Sequence, residues 1–377
     1  MVVRVILLII LGLCSFSLSA KPKIVWFSTL QQDLSDKSGF WKSLHDLIVA
    51  TATDLDVDFD IYYAEENFLK MHRQVNAVLS NKKNRPDGII FHNYKKLAPL
   101  ILKRAEQFGV KSFVFNSGLN AETQTLFPRQ KYKHWIGQML PDDAFAGEEL
   151  MRCLMTAANE HAQNVGTGPL QVLAMEGNPS SRAYQARRIG LGRFLQSHAN
   201  LKFTQFFPAD WSRSKASQMF PTMLGRYPNV RILWSANDNM ALGLIDAARK
   251  SKLTLGKDIF VGGVDWLAES VEAIQRGEMS CSIGGHFVEG MWALILMYDY
   301  LNGFDFSERR YNSNHPGTLH TKMAAITPMN VKNFGDLGKK LLPENLAKTD
   351  FSQYSRSHNS DTFEYDFSIK RFLGQLQ

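Results

Sequence analysis

The sequence predicts an α/β protein with two lobes, each built on a parallel sheet that is covered by helices on both faces. Short, continuous apolar runs, typical of buried parallel strands, alternate with segments whose apolar residues recur every three or four positions, as in amphipathic helices. This alternation passes through two successive series, each long enough for one small sheet. The segment 163–169, with three glycine or proline residues, separates the two series.

The first series begins with an apolar run at residues 24–27, which predicts a strand. A helical stripe formed by Trp41, Leu44 and Ile48 follows it, and the same alternation repeats to the end of the series. Its strands are expected at residues 24–27, 59–63, 88–91, 112–115 and 135–137, and its helices at 41–52, 68–79, 97–108 and 142–160.

The second series has its clearest unit at residues 230–248, where a strand ends at Trp234, a polar turn follows, and Ala241, Leu244 and Ala248 show helical spacing. Its strands are expected at 170–174, 201–207, 230–234, 259–262, 279–283 and 322–329, and its helices at 182–197, 215–226, 240–251, 267–276 and 288–301. Beyond Asn330 the chain is polar and locally rich in serine. This tail is either an extra helix packed on a lobe or partly disordered.

The N-terminal 20 residues predict a secretory signal peptide. Arg4 precedes a short apolar core at residues 5–13, and small residues end the segment, with cleavage after either Ser19 or Ala20. The apolar core is too short for a membrane span, and a lipoprotein signal through Cys14 is disfavoured by the bulky residue before it. We therefore expect a soluble exported protein.

Charge and cysteine content exclude two further classes of protein. The net charge is +7, but the basic residues are scattered in pairs, so nucleic-acid binding is not expected. Besides Cys14, the chain has only Cys153 and Cys281, which fall in different predicted elements. Two cysteines do not make a disulfide framework, so we expect buried free thiols.

No catalytic motif emerges from the sequence. It contains no phosphate-binding loop, no His-Glu-x-x-His pair of metal ligands, and no Gly-x-Ser-x-Gly turn after a strand. His286 and Glu289 are three residues apart, but a pair without further ligands is weak evidence for a metal. We therefore expect a non-enzymatic binding protein with no catalytic residues, no metal and no cofactor.

Polar or aromatic residues follow several predicted strands, at the sheet edge where open α/β proteins bind their ligands. They are His92, Asn116, Asn237, Asp265 and Trp266. Asn and Asp at a helix start are more often caps, because their side chains accept hydrogen bonds from free backbone N–H groups. Their repetition at strand ends nevertheless favours a polar pocket.

Four segments, which follow one another along the chain in the family's order, resemble the type I periplasmic solute-binding proteins of the ribose-binding class. These proteins share their core with LacI-type repressors. The most specific is the turn Ser-Ala-Asn-Asp-Asn-Met-Ala-Leu-Gly at residues 235–243. The strand end at 259–265 and the segments 142–147 and 176–191 are similar to further motifs of that class. The resemblance covers residues 24 to 331.

The resemblance implies two Rossmann-like lobes joined by three hinge crossings, near residues 140–141, 285–286 and 325–327. The N-terminal lobe would comprise 21–141 and 286–325, the C-terminal lobe 142–285 and 326–335, and a C-terminal extension 336–377. The lobes of such proteins close on a ligand and bury it from water. Hydrogen bonds inside a dry cleft then provide specificity, since an unmatched hydroxyl is costly.

Matched position by position, the resemblance assigns ligand contacts to Asn116, Asn237, Asp265 and Arg187, and to the aromatic pair Phe40 and Trp41. Arg182, one turn before Arg187, is an alternative to it. His92 would be either a ligand donor or a loop residue, and Trp266 would line the cleft or cover the second lobe. Ser117, Gln185 and Gly285 depart from the ribose-binding pattern, so ribose itself is not expected.

Two functions are compatible with this resemblance. The first is a monomeric periplasmic receptor that delivers a sugar or a sugar-like polar solute to the permease of an ABC importer. The alternative is a ligand-sensing receptor that docks on a membrane sensor kinase or cyclase, as autoinducer-binding relatives do. The tail after Asn330 and an insertion at residues 31–38 slightly favour this alternative, because either could serve a different docking partner.

Overall fold

The structure, a computed structural model, describes residues 21–33, 39–119, 126–161, 168–308, 315–359 and 363–375. The predicted signal peptide and residues 34–38 of the insertion lie outside the described residues. Within the described ranges, no helix combines the length and the apolar character that a membrane span requires.

The first sheet contains β1 (Lys23–Ser28), β2 (Asp58–Tyr63), β3 (Gly88–Phe91), β4 (Lys111–Phe115), β5 (Trp135–Pro141) and β11 (Thr318–Thr321). All six strands are parallel, in the order β11-β5-β4-β3-β1-β2. One face is covered by α1 (Phe40–Asp54) and α9 (Glu289–Leu301), the other by α2 (Phe68–Ser80) and α3 (Ala98–Phe108). We call this sheet and its helices the N-terminal lobe.

The second sheet contains β6 (Leu170–Glu176), β7 (Leu201–Pro208), β8 (Val230–Ser235), β9 (Phe260–Val264), β10 (Cys281–Gly284) and β12 (Ala324–Ile326). Their order is β12-β10-β9-β8-β6-β7, and only β12 is antiparallel to its neighbour. The helices of this C-terminal lobe are α4 (Asp143–Glu160), α5 (Arg182–Gln196), α6 (Arg213–Arg226), α7 (Asp238–Ala248) and α8 (Ala268–Gln275).

Helices cover both faces of the second sheet as well. Gly262 of β9 lies against Leu150 of α4, whereas the next residue, Gly263, lies against Ala241 of α7. Because successive strand residues face opposite sides of a sheet, α4 and α7 lie on opposite faces. The two sheets, each flanked by helices, confirm the predicted α/β class.

The chain passes between the two sheets three times. It leaves the first sheet after β5, returns after β10 through Gly285, and leaves again between β11 and β12. Gly285 has a φ of +103°, a conformation that side chains other than glycine rarely adopt.

The third crossing corrects one expectation. The single strand predicted at 322–329 is replaced by two short strands, β11 and β12, in different sheets, so the crossing lies at residues 322–323 and not at 325–327. Residues 324–325 therefore pair within the second sheet and do not belong to the N-terminal lobe. The apolar pattern did not reveal β11, because its four residues include two threonines and a histidine.

Over its described residues, the tail packs on the lobes. This agrees with the expectation of extra helical structure packed on a lobe, and not with the alternative of a partly disordered tail. Its described residues contain three short α-helices, α10 (Leu337–Lys340), α11 (Pro343–Leu346) and α12 (Ile369–Gln375), besides short 3-10 turns. Phe351, Tyr354, Tyr365 and Phe372 are buried. Their apolar surface therefore belongs to the folded body of the protein and is not free for a docking partner.

The prediction of two free thiols is wrong, because Cys153 and Cys281 form a disulfide bond. The bond joins α4 to the first residue of β10, with the two Cα atoms 6.6 Å apart. The two residues are 128 positions apart in the sequence, and only the packing of α4 across β10 brings them together.

Replacing both cysteines, in a Cys153→Ala/Cys281→Ala variant, should lower the free energy of unfolding by about 2–4 kcal/mol, because the unfolded chain loses a long-range cross-link. Urea unfolding of both proteins measures this difference. A thiol reductant should destabilise the wild type and leave the double variant unchanged. Equal unfolding free energies for the two proteins would contradict the bridge.

Candidate ligand-binding cleft

The carboxyl-terminal ends of the strands in the two lobes face each other across a cleft. Arg182, at the start of α5, donates a hydrogen bond of 3.3 Å to the backbone carbonyl of Leu119, which follows β4 in the other lobe. Phe40, at the start of α1, stacks on His286, which follows β10, with ring centroids 4.5 Å apart. The hydrogen bond of Arg182 therefore joins the two lobes across the cleft, and His286 packs on Phe40 where the chain returns to the N-terminal lobe.

Arg187 is the centre of the polar groups on the C-terminal side. Its guanidinium donates to the Asp143 carboxylate through Nε at 2.8 Å and to the Ala236 carbonyl through Nη1 at 2.6 Å. Nη2 lies 3.5 Å from Nε2 of His286. Only 4% of Arg187 is exposed, so its charge depends on these partners instead of water.

Asp265 directs its carboxylate toward the same group. The residue is 8% exposed, and its Oδ1 lies 3.7 Å from Nη1 of Arg187 and 3.6 Å from Nε2 of His286. Among the described residues, no donor lies within hydrogen-bond distance of this carboxylate. Burial raises the pKa of Asp265 well above its usual range, and Asp238 and Asp143 raise it further, while Arg187 opposes the shift.

The backbone around Asp265 is strained. Its φ is +133°, and that of Trp266 is +60°. Residues other than glycine adopt such angles at a cost of about 1–3 kcal/mol, and they do so mainly where function requires it.

His286 is a neutral acceptor in this arrangement. Arginine can only donate, so Nε2 of His286 accepts from Arg187, and the ring proton is assigned to Nδ1. Burial, and secondly the charge of Arg187, hold the pKa of His286 well below its usual value. Its Nδ1 is buried and has no hydrogen-bond partner among the described residues.

Asn237 serves as the cap of α7. Its Oδ1 accepts from the backbone N–H of Met240 at 2.9 Å, and its Nδ2 points to the backbone carbonyl of Trp211 at 3.5 Å. The side-chain oxygen of Asn237 therefore acts as a helix cap, as is common for asparagine at a helix start. Its buried amide nitrogen lies at the cleft. The neighbouring Asp238 accepts from Ser282 and from the backbone of Leu267, and burial raises its pKa to about 6.

The N-terminal side of the cleft is aromatic. Phe40 packs edge-on against Trp41, and Trp41 lies 4.6 Å from the ring of His92. The Nε2 atom of His92 is 3.3 Å from the Thr29 hydroxyl, whereas its Nδ1 is buried without a partner among the described residues. Burial lowers the pKa of His92 to about 4.

Asn116 links the cleft to the crossings. It has a φ of +61°, and its Nδ2 donates to Oε2 of Glu289 at 3.4 Å. Glu289, fully buried at the start of α9, also accepts from the Thr321 hydroxyl of β11 at 2.5 Å. Burial raises the pKa of this carboxyl well above its usual range.

The structure thus brings Phe40, Trp41 and His92 together on one side of the cleft and Arg187, Asp265 and Asn237 on the other. Arg182 lies apart from them and bridges the lobes. The indole N–H of Trp266 donates to the carbonyls of Ser282 in β10 and Ala324 in β12, at 3.1 and 3.0 Å, so this side chain is fixed on the second sheet next to the crossings.

Three further residues that contact Arg187 at the cleft were not among the predicted site residues: Asp143, Trp211 and His286. The Trp211 ring lies over Gly177, with the guanidinium carbon of Arg187 5.8 Å from its centre. Trp211 follows β7, so the rule that ligands bind at strand ends could have found it. In the described part of the chain, no cluster of three or more His, Cys, Asp or Glu side chains could hold a metal ion.

Comparison with known proteins now identifies the family. A model of the periplasmic binding protein domain matches residues 34–304. The chain belongs to the periplasmic binding protein family. It is a type I member of the ribose/galactose class, as expected from its four motifs, and the relatives of this family that it matches are binding proteins and not enzymes.

Three relatives indicate how far the similarity extends. The D-allose-binding periplasmic protein of Escherichia coli is 31% identical over 130 residues, which cover 34% of this chain and 41% of the relative. The galactofuranose-binding protein of the same organism is 21% identical over 57% of this chain and 64% of its own length. Both matches thus span less than two thirds of the relative. A solved periplasmic sugar-binding protein from Pseudomonas fluorescens is 28% identical, with a TM-score of 0.78 over 93% of this chain and 99% of that one.

The burial of His92 should make the stability of the protein depend on pH. Its pKa is about 4 in the folded protein and 6.5 in the unfolded chain, so between these values the unfolded state binds more protons and stability falls as the pH falls. Between pH 7 and pH 4.5, a His92→Gln variant should lose about 2 kcal/mol less unfolding free energy than the wild type. Urea unfolding at both pH values measures this.

The exposed His161 provides the control for this experiment. A His161→Gln variant should lose as much stability on acidification as the wild type. The same loss in all three proteins would contradict a buried, neutral His92.

Proposed function

We propose that this protein binds a sugar, or a similar small neutral solute rich in hydroxyl groups, in the cleft between its lobes. The observation that carries the proposal is the buried carboxylate of Asp265, which lies beside Arg187 and His286 yet accepts no hydrogen bond from the described residues. A buried carboxylate without donors is costly. Ligand hydroxyl groups would remove this cost by donating to it.

The other groups at the cleft fit the same class of ligand. The Nδ1 atoms of His92 and His286 are buried without partners among the described residues, and each could bond a hydroxyl. The rings of Phe40, Trp41 and Trp211 offer apolar surface to the C–H faces of a sugar ring. A sugar presents both kinds of surface at once.

The relatives support this proposal. Their names describe binding of D-allose, galactofuranose and ribose. A similar fold from Actinobacillus succinogenes, with 19% identity and a TM-score of 0.67, was solved with D-allose bound. The closed lobes would exclude water from the ligand, which strengthens its hydrogen bonds and penalises any hydroxyl that finds no partner.

A thermal-shift screen of pentoses, hexoses and polyols tests the proposal. At one hundred times its dissociation constant, a bound sugar should stabilise the wild type by about 2.7 kcal/mol. An Asp265→Asn variant should lose most of this shift, because the amide is a weaker acceptor and adds a donor next to Arg187.

An Asp258→Asn variant is the matched control for this screen, because Asp258 lies before the opposite end of the same strand, β9. It should keep the full shift. A screen without any stabilising sugar would contradict the proposed ligand class. An equal shift in wild type and Asp265→Asn would contradict the proposed role of Asp265.

We further propose that the protein acts in the periplasm and delivers its ligand to an ABC importer. The predicted signal peptide supports export, and several relatives carry names that describe import binding proteins. The lobes would present the closed, loaded form to a membrane permease, which would open them and release the ligand.

Uptake of a radiolabelled sugar tests delivery, using the sugar that gives the largest thermal shift. A strain without this gene should lose high-affinity uptake, and the wild-type gene should restore it. The Asp265→Asn gene should fail to do so, whereas the Asp258→Asn gene should restore uptake fully. Normal uptake in the deletion strain would contradict a transport role.

A further inference from the structure

The described part of the chain beyond β12, residues 331–359 and 363–375, contacts both lobes and is called here the C-terminal strap. Its first residues pack on the C-terminal lobe. The Phe334 ring lies 5.0 Å from the ring of Trp266, and Gly338 lies against Ala268 of α8. Val331 and Leu337 are buried in the same region.

The later residues of the strap are anchored on the N-terminal lobe. The backbone N–H of Phe351 donates to the Asp54 carboxylate, at the end of α1, at 2.7 Å. The buried carboxylate of Asp299, on α9, accepts from the Ser355 hydroxyl at 2.5 Å and from the Tyr365 hydroxyl at 2.7 Å. The backbone N–H of Arg356 donates to it as well, at 2.7 Å. Such a satisfied, buried carboxylate fixes the strap firmly on α9.

The end of the strap returns to the crossings. Phe372 of α12 is buried and lies against Phe287, two residues after the hinge glycine Gly285. Nζ of Lys340 lies 3.5 Å from the carbonyl of Leu373, which joins the first and last parts of the strap. The strap therefore spans the hinge and is not attached to one lobe only.

Trp266 connects the strap with the ligand cleft. It directly follows Asp265, and its indole N–H binds the carbonyls of both hinge strands, Ser282 of β10 and Ala324 of β12. The indole covers Gly284 so closely that a Cβ atom there would lie 2.5 Å from it. Phe334 packs on the same indole, so a side chain of the strap touches the residue that holds the hinge strands together.

We propose that the C-terminal strap stabilises the closed arrangement of the lobes and acts on the hinge through the contact of Phe334 with Trp266. The strap is bound to α8 on one side of the hinge and to α1 and α9 on the other. A rotation that moves α8 away from α1 and α9 would therefore pull on the contacts of the strap with one lobe or the other. The inference rests on the proposed function only in that closure serves to retain a ligand.

Small-angle X-ray scattering of the protein without ligand tests this inference. A Phe334→Ala variant should have a larger radius of gyration than the wild type, because the lobes open more often. Trp266→Phe, which keeps an aromatic ring but removes both indole hydrogen bonds, should shift the radius in the same direction. A Phe334→Leu variant should keep the wild-type radius of gyration, since leucine, unlike alanine, still fills the contact with Trp266.

Phe203→Ala is the matched control, because Phe203 is a half-buried phenylalanine of β7 in the same lobe and packs on Phe206, away from the strap. It should destabilise the lobe without changing the radius of gyration. An unchanged radius in Phe334→Ala and Trp266→Phe, with cooperative melting retained, would overturn the proposal, as would an equal increase in Phe203→Ala. Since no ligand is present, the failure of every sugar in the screen would leave this result intact.

Discussion

The buried guanidinium of Arg187 is the interaction on which the cleft depends. A charge with 4% exposure is tolerated only when it is paired and hydrogen-bonded, and Asp143 and the Ala236 carbonyl supply those partners from the start of α4 and the end of β8. Burial holds the pKa of His286 well below its usual value and raises the pKa of Asp265; the charge of Arg187 adds to the first effect and opposes the second. Removing Arg187 would leave Asp143 buried without its ion-pair partner.

Asp265 and Trp266 show how one strand end serves two purposes. Both residues have positive φ angles; the carboxylate of Asp265 lies beside Arg187 and His286, and the indole of Trp266 binds the hinge strands. The residue proposed to bind the ligand, Asp265, and the residue that packs on the hinge strands, Trp266, are therefore neighbours in the sequence. A similar connection runs on the other lobe, where Asn116 reaches Glu289 and, through it, Thr321 of β11. Hydrogen bonds therefore join the cleft to the crossings on this side as well.

Sequence patterns could predict most of the architecture because parallel strands buried on both faces give continuous apolar runs, and their helices give a clear period. The pattern was misleading at residues 318–329, where two strands of three or four residues are too short to show any periodicity. It was also unable to separate capping from binding at Asn237, because the same side chain caps α7 and lies at the cleft. The pairing of Cys153 with Cys281 left no local signal.

The sequence by itself determined the α/β class, the two series of strands and the turn motifs that place the chain in its family, since these are local patterns of apolar and polar residues. The tertiary structure alone decided which side chains meet. The disulfide, the buried groups around Arg187, the hydrogen bond from Trp266 to β12 and the strap across the hinge all join residues far apart in the chain. Such contacts follow from how helices and sheets pack, and a single sequence carries no record of that geometry.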